Sequence, residues 1–136
     1  MAIADKAYKD GYEHEYERAL LGRDGKPVGV TVWVRGLDCQ ASLDVHDKYM
    51  RLVTDLRIRA GDKDIPKGKT GDLIVDEMRD RYLACIARWD FGGEELFEGE
   101  GVPVCDDATK KRFFNIPLFG KQVREWIAEI GDFTTA

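Results

Sequence analysis

An α+β fold, a single domain with an N-terminal β-hairpin packed against a small set of α-helices, follows from three observations. A period-two run of valines sits behind an Asp-Gly turn, helical-period stripes take over after Gly36, and 136 residues suffice for one hydrophobic core but not two. Residues 1–36 are thus expected to form an N-terminal segment and hairpin, and residues 37–136 a helical part with mobile loops at 62–71 and 92–106. A lone hairpin is marginal in water, so its valine face must be covered by helices.

Tyr8, Tyr12, Tyr16 and Leu20 recur at four-residue spacing, which predicts a helix before Glu15 despite the interruption at Gly11. Tyr16 to Leu21 then reads as a strand, because Arg23-Asp24-Gly25-Lys26 supplies the positive-φ step of a hairpin. The returning strand places Val28, Val30, Val32 and Val34 on one face and Thr31 and Trp33 on the other.

Beyond Gly36, Ala41, Val45, Tyr49, Leu52, Val53, Leu56 and Ala60 line one side of a helix that Gly61 stops. A second helix, capped by Thr70 or Asp72, carries Ile74, Met78, Tyr82, Ile86 and Trp89 on one stripe, widened by Leu73, Val75, Leu83 and Cys85, and ends at Gly92-Gly93. Asp106 or Asp107 caps a short helical turn through Phe113-Phe114. Pro117 opens a last helix whose buried stripe is Phe119, Val123, Trp126, Ile127 and Ile130, stopped by Gly131.

Composition narrows the function. Hydrophobic content of 43% with 35% charge is that of a soluble globular protein, and a net charge of -5 argues against a surface built to neutralise phosphates, so nucleic acid is excluded as a partner. The amino terminus turns charged at Asp5-Lys6, and no window approaches the roughly 20 apolar residues of a membrane span, which predicts no membrane association. Cys39, Cys85 and Cys105 are odd in number and widely spaced. They do not read as a disulfide framework, which places the chain in a reducing cytoplasm.

Chemistry-bearing patterns are sparse. His14 and His46 sit in different elements without metal-ligand spacing and read as solvated surface residues. Cys85 reads as a small hydrophobe, and Cys105 lacks an adjacent cation to lower its pKa. Gly68-Lys69-Thr70 has the tail of a phosphate-binding loop without its upstream glycine, and neither Asp62-Lys63-Asp64 nor Gly92-Gly93-Glu94-Glu95 makes the run of alternating acids ending in a bidentate glutamate that a calcium loop needs. The expectation is therefore no catalytic residue, no metal and no cofactor.

One segment stands out. From Asp90 to Asp107 every charged residue is a carboxylate, which either solvates the loop or forms a steering surface for a basic or helical partner. The aromatic residues near it exceed what short helices need inside. Trp89 and Trp126 are assigned to the core, while Phe91, Phe97 and Phe133, in glycine-flanked turns, are assigned to partner contact together with Glu94, Glu95 and Glu98.

The hairpin around Arg23-Asp24-Gly25-Lys26-Pro27-Val28, the run Tyr82-Leu83-Ala84-Cys85-Ile86-Ala87-Arg88-Trp89-Asp90-Phe91, the acidic loop and the closing Glu129-Ile130-Gly131-Asp132-Phe133 together resemble the small tail assembly chaperones of long-tailed bacteriophages and prophages. The resemblance implies a non-virion protein of the host bacterial cytoplasm that binds the tape measure protein, and sometimes the tail tube protein, until the tube polymerises. It implies no catalytic residues. A small structural tail or neck component of the virion shares this size, acidity and hairpin-plus-helix character and is the alternative. A small enzyme using Glu94, Glu95 and Asp106 is a third reading, without a positioned nucleophile or cofactor signature. An exposed edge of Val28 to Val34 would add a homo-oligomer to the expected partners.

Overall fold

The computed structural model describes residues 12–61 and 67–131. β1 (Tyr16–Leu21) and β2 (Pro27–Val34) form the antiparallel hairpin that the Asp-Gly step predicts. Gly25 takes a φ of 78°, its N–H donates to the Gly22 carbonyl at 3.0 Å, and Asp24 Oδ1 accepts from the Lys26 N–H at 3.1 Å. Val30, Val32 and Val34 turn inward and are buried, whereas Val28, at the turn end of the hairpin, stays exposed. The helix expected before Glu15 falls mostly on residues 1–11, outside the described residues.

α1 (Gln40–Ala60) follows the predicted periodicity and ends at Gly61, whose φ is 59°. Its N-cap residue, Cys39, makes no side-chain cap bond. Glu13 acts in its place, accepting from the Gln40 N–H at 2.7 Å while its carboxylate also lies 3.8 Å from Arg35.

α2 (Lys67–Cys85) starts inside the segment 62–71 that was expected to be a loop, so Thr70 and Asp72 lie within the helix and do not cap it. Gly68 and Gly71 cost a helix about 1 kcal/mol each relative to alanine, and pairing with α1 overrides that cost. Residues 62–66 lie outside the described residues.

The main departure from expectation comes at Cys85. The helix stops there and Ile86–Asp90 forms β3, antiparallel to β2 with Thr31 opposite Asp90 and Val32 opposite Trp89. The sheet order β1-β2-β3 makes β2 central. An unpaired β2 edge would have left backbone donors and acceptors without partners, and the β-prone Ile86 and Trp89 satisfy them. The exposed β2 edge offered as a self-association site is therefore covered by β3. On the outer face Arg88 lies over the Trp33 ring at 4.0 Å, a cross-strand cation–π pair.

α3 (Asp107–Phe114) is capped by Asp106, whose Oδ1 accepts from the Thr109 N–H at 2.8 Å. α4 (Pro117–Gly131) lies against β1 and β2 and delivers Val123, Ile127 and Ile130 onto the valine face. Phe113 is the aromatic centre of the core, with the rings of Trp89 and Phe119 at 5.3 and 5.2 Å. Trp89 and Trp126 pack on this core while remaining partly exposed, so the assignment of both indoles to the interior is only half met.

Candidate functional site

The acidic segment after β3 is shaped by its own side chains. Glu95 folds the chain back, its two carboxylate oxygens accepting from the N–H groups of Gly99 at 3.0 Å and Gly101 at 2.9 Å. Gly99 and Gly101 take φ values of 83° and 78°, which only glycine tolerates without strain. Trp89 Nε1 donates to the Pro103 carbonyl at 3.0 Å and ties the far side of the loop to the sheet. Arg112, from α3, pairs with Glu100 at 3.1 Å and lies 4.2 Å over the Phe97 ring.

These contacts redistribute the residues assigned to partner contact. Phe91 is not exposed: it is 4% accessible, with its ring edge-on to Trp89 at 5.3 Å and 6.2 Å from Phe113. Gly92 and Gly93, both at positive φ, turn the chain immediately after Phe91, and the ring points inward before the loop begins. Phe97 is half-buried beneath Arg112, and Glu95 is occupied with loop backbone. Glu94 and Glu98 do stand exposed, as do the apolar Val102 and Val104 of the same loop. Phe133 lies outside the described residues.

A second surface lies on the α1–α2 helical hairpin. The stripe of α2 begins with Ile74 and Val75 and continues through Met78 to Tyr82, whose ring stacks on Phe114 at 6.0 Å. Two turns before Tyr82, a distance of about 12 Å along the helix, Ile74 is 58% and Val75 68% exposed. The stripe that meets the core at one end runs off it at the other. Beside it, Leu52, Leu56 and Leu73 line an open groove of about 360 Å³ between the two helices, edged by Asp55, Arg59 and Asp72. On the outer side of α1, Met50 and Ile58 are also exposed, Ile58 at 72%. Sequence periodicity identified Ile74, Val75 and Leu52 as members of buried stripes. Exposing them required knowing where the body ends.

Polar pairs hold the two helices together. Tyr49 Oη donates to Asp80 Oδ2 at 2.5 Å, Arg79 clasps the other oxygen of Asp80 at 3.0 Å, and His46 Nδ1 meets Glu77 Oε1. The His46 pair corrects its reading as a purely solvated residue, because the partner comes from the facing helix 31 positions away. Burial and the Asp80 carboxylate push the Tyr49 phenol up to about 12, so it stays a donor at neutral pH. Nearer the base, Arg81 donates to Ser42 Oγ at 2.9 Å and to the Leu37 carbonyl at 3.1 Å.

A groove of about 380 Å³ between α1, α2 and α3 is lined by Lys48, Tyr49, Asp80, Asp107 and Lys111 with apolar walls at Val45, Leu83 and Ala84. Tyr49 and Asp80 are committed to each other and to Arg79, so these groups act as a clamp between helices. Among the described residues no group of three or more His, Cys, Asp or Glu side chains is placed to hold a metal ion, and no helix is long and apolar enough to cross a membrane. Compared with protein-family models, curated proteins and solved structures, the chain matches none.

Proposed function

We propose that the protein is a non-catalytic tail assembly chaperone of a long-tailed bacteriophage or prophage. It works in the host bacterial cytoplasm, binding the tape measure protein, the tail tube subunit or both during tail morphogenesis. The observation that carries the reading is the α2 stripe left uncovered at Ile74 and Val75, next to the leucine-lined groove of the α1–α2 hairpin. A long helical client presents apolar stripes of the same kind, and an amphipathic helix laid into such a groove buries both.

Magnitudes support a transient complex. Fully burying an Ile or Val side chain is worth about 1.5 to 3 kcal/mol, so covering what is still exposed of Ile74 and Val75 supplies about 2 to 4 kcal/mol, no more than the entropic cost of association itself. The groove leucines add to this, and release when the tube polymerises remains feasible. Exposed carboxylates at Glu94 and Glu98 keep such a complex soluble. Co-expression of the tape measure protein with and without this chain tests the proposal: the chaperone reading requires the client to move from the pellet to the soluble fraction and the chain to be missing from finished particles. Recovery of the chain in purified virions would favour the structural subunit.

A further inference from the structure

Cys39 and Cys85 are 46 positions apart in sequence, yet their Sγ atoms lie 4.0 Å from each other, both fully buried. They are free thiols at a junction that is tightly braced. Cys39 is the N-cap of the 21-residue α1, and its N–H donates to the Gly36 carbonyl at 3.1 Å. Cys85 is the last residue of α2, its Sγ lies 3.4 Å from the same carbonyl oxygen, and its own carbonyl accepts from the Arg35 N–H at 2.8 Å. The two sulfurs therefore face each other across the base of the helical hairpin, and a disulfide bond of about 2 Å would close the 4.0 Å between them.

We propose that Cys39 and Cys85 form a peroxide-oxidisable dithiol whose disulfide staples the base of the α1–α2 hairpin. The Cys39 thiolate attacks one oxygen of hydrogen peroxide, the O–O bond breaks, and Cys39 becomes a sulfenic acid as hydroxide leaves. The Cys85 thiol, its proton passing to the departing oxygen, then attacks the Cys39 sulfur and releases water. Overall, two thiols and one peroxide give one disulfide and two waters. The chemistry of the two sulfurs is complementary. The contact with Cys85, opposed by burial and helped by the Ser42 backbone, lowers the Cys39 thiol to about 7, and the same contact together with burial raises that of Cys85. Cys105, just before the Asp106 cap of α3, is pushed up by burial and has no second thiol beside it.

The test uses the full chain, reduced and then exposed to graded hydrogen peroxide, with sulfoxide formation at the exposed Met50 as the internal gauge of dose. After unfolding and alkylation, peptide mapping reads each sulfur. The expected result is joint loss of alkylation at Cys39 and Cys85, a cross-linked peptide containing both that lacks two hydrogens, retention of Cys105 as thiol, restoration of both cysteines by dithiothreitol, and a higher thermal midpoint for the oxidised chain. The Cys105→Ser variant should give the same cross-link. Survival of both thiols at a dose that converts Met50, or sulfinic acid at Cys39 with Cys85 still alkylated, overturns the proposal.

Discussion

Gln122 pairs with the backbone of Leu21 as a neighbouring strand would: its Oε1 accepts from the Leu21 N–H at 2.9 Å, and its Nε2 donates to the Leu21 carbonyl at 2.9 Å. The contact falls where the β1–β2 register shifts, between Ala19 and Leu21, on the open edge of the sheet. One helical side chain thus blunts an edge that would otherwise invite another strand. Removing it in Gln122→Ala leaves the Leu21 groups to water, and the expected loss is about 1 kcal/mol, read as a lower urea midpoint at unchanged slope.

Two glycines in helices should respond to alanine with opposite sign. A Cβ on Gly120 would sit 2.2 Å from the Phe114 carbonyl oxygen, where α4 crosses the end of α3, and backbone cannot yield cheaply. Gly120→Ala is expected to cost about 3 kcal/mol, the upper part of the overpacking range. Gly71 in α2 has nothing within 4 Å, so Gly71→Ala should stabilise by about 0.5 to 1 kcal/mol. Thermal melts of the two variants check both signs.

Phe91 and Phe97 bracket the start of the acidic loop and should separate equally clearly. Truncating the buried Phe91 removes its contacts with Trp89 and Phe113 and should cost about 3 to 5 kcal/mol. Phe97→Ala forfeits a cation–π contact with a half-exposed arginine, worth no more than about 1 kcal/mol. Denaturant titration of the pair measures the difference directly.

Tyr49 supplies a pH test. Its phenol is raised from 10.0 to about 12, chiefly by burial and then by Asp80, so the protonated form is favoured in the folded state. Its contribution to stability is fully present below pH 10.0, where the unfolded phenol is neutral too, and is lost as pH rises through about 12. Tyrosinate absorbance should show one late-titrating ring in the wild type that is missing in Tyr49→Phe, and that variant should lose less stability than the wild type on the alkaline side.

How much was legible in the sequence depended on whether the deciding contact was local. The Asp24-Gly25 turn, the valine alternation from Val30 onward, the Gly61 stop, the Asp106 cap and the Pro117 start are set within a few residues, and all five appear where the pattern placed them, Val28 alone falling outside the buried face. Ile86 to Asp90 also fitted the helical stripe of Met78 and Tyr82, and the need of β2 for a second neighbour, more than 50 residues upstream, turned them into β3. The same pairing draws Phe91 inward. Glu13 capping α1, His46 meeting Glu77 and Cys39 facing Cys85 are likewise long-range, and no spacing rule announces them.

The uncovered end of the α2 stripe is the proposed client-holding face, and solubility of the co-expressed tape measure protein tests it most directly. The comparison is between the wild-type chain and an Ile74→Ser, Val75→Ser double variant, whose fold should be intact because both side chains already face solvent. The prediction is a soluble tape measure protein with the wild type and at least about a tenfold smaller soluble fraction with the variant, matching the loss of roughly 1.4 kcal/mol or more of apolar contact. A soluble fraction that is the same with the wild type, with the variant and with neither would contradict the claim that this face holds a client.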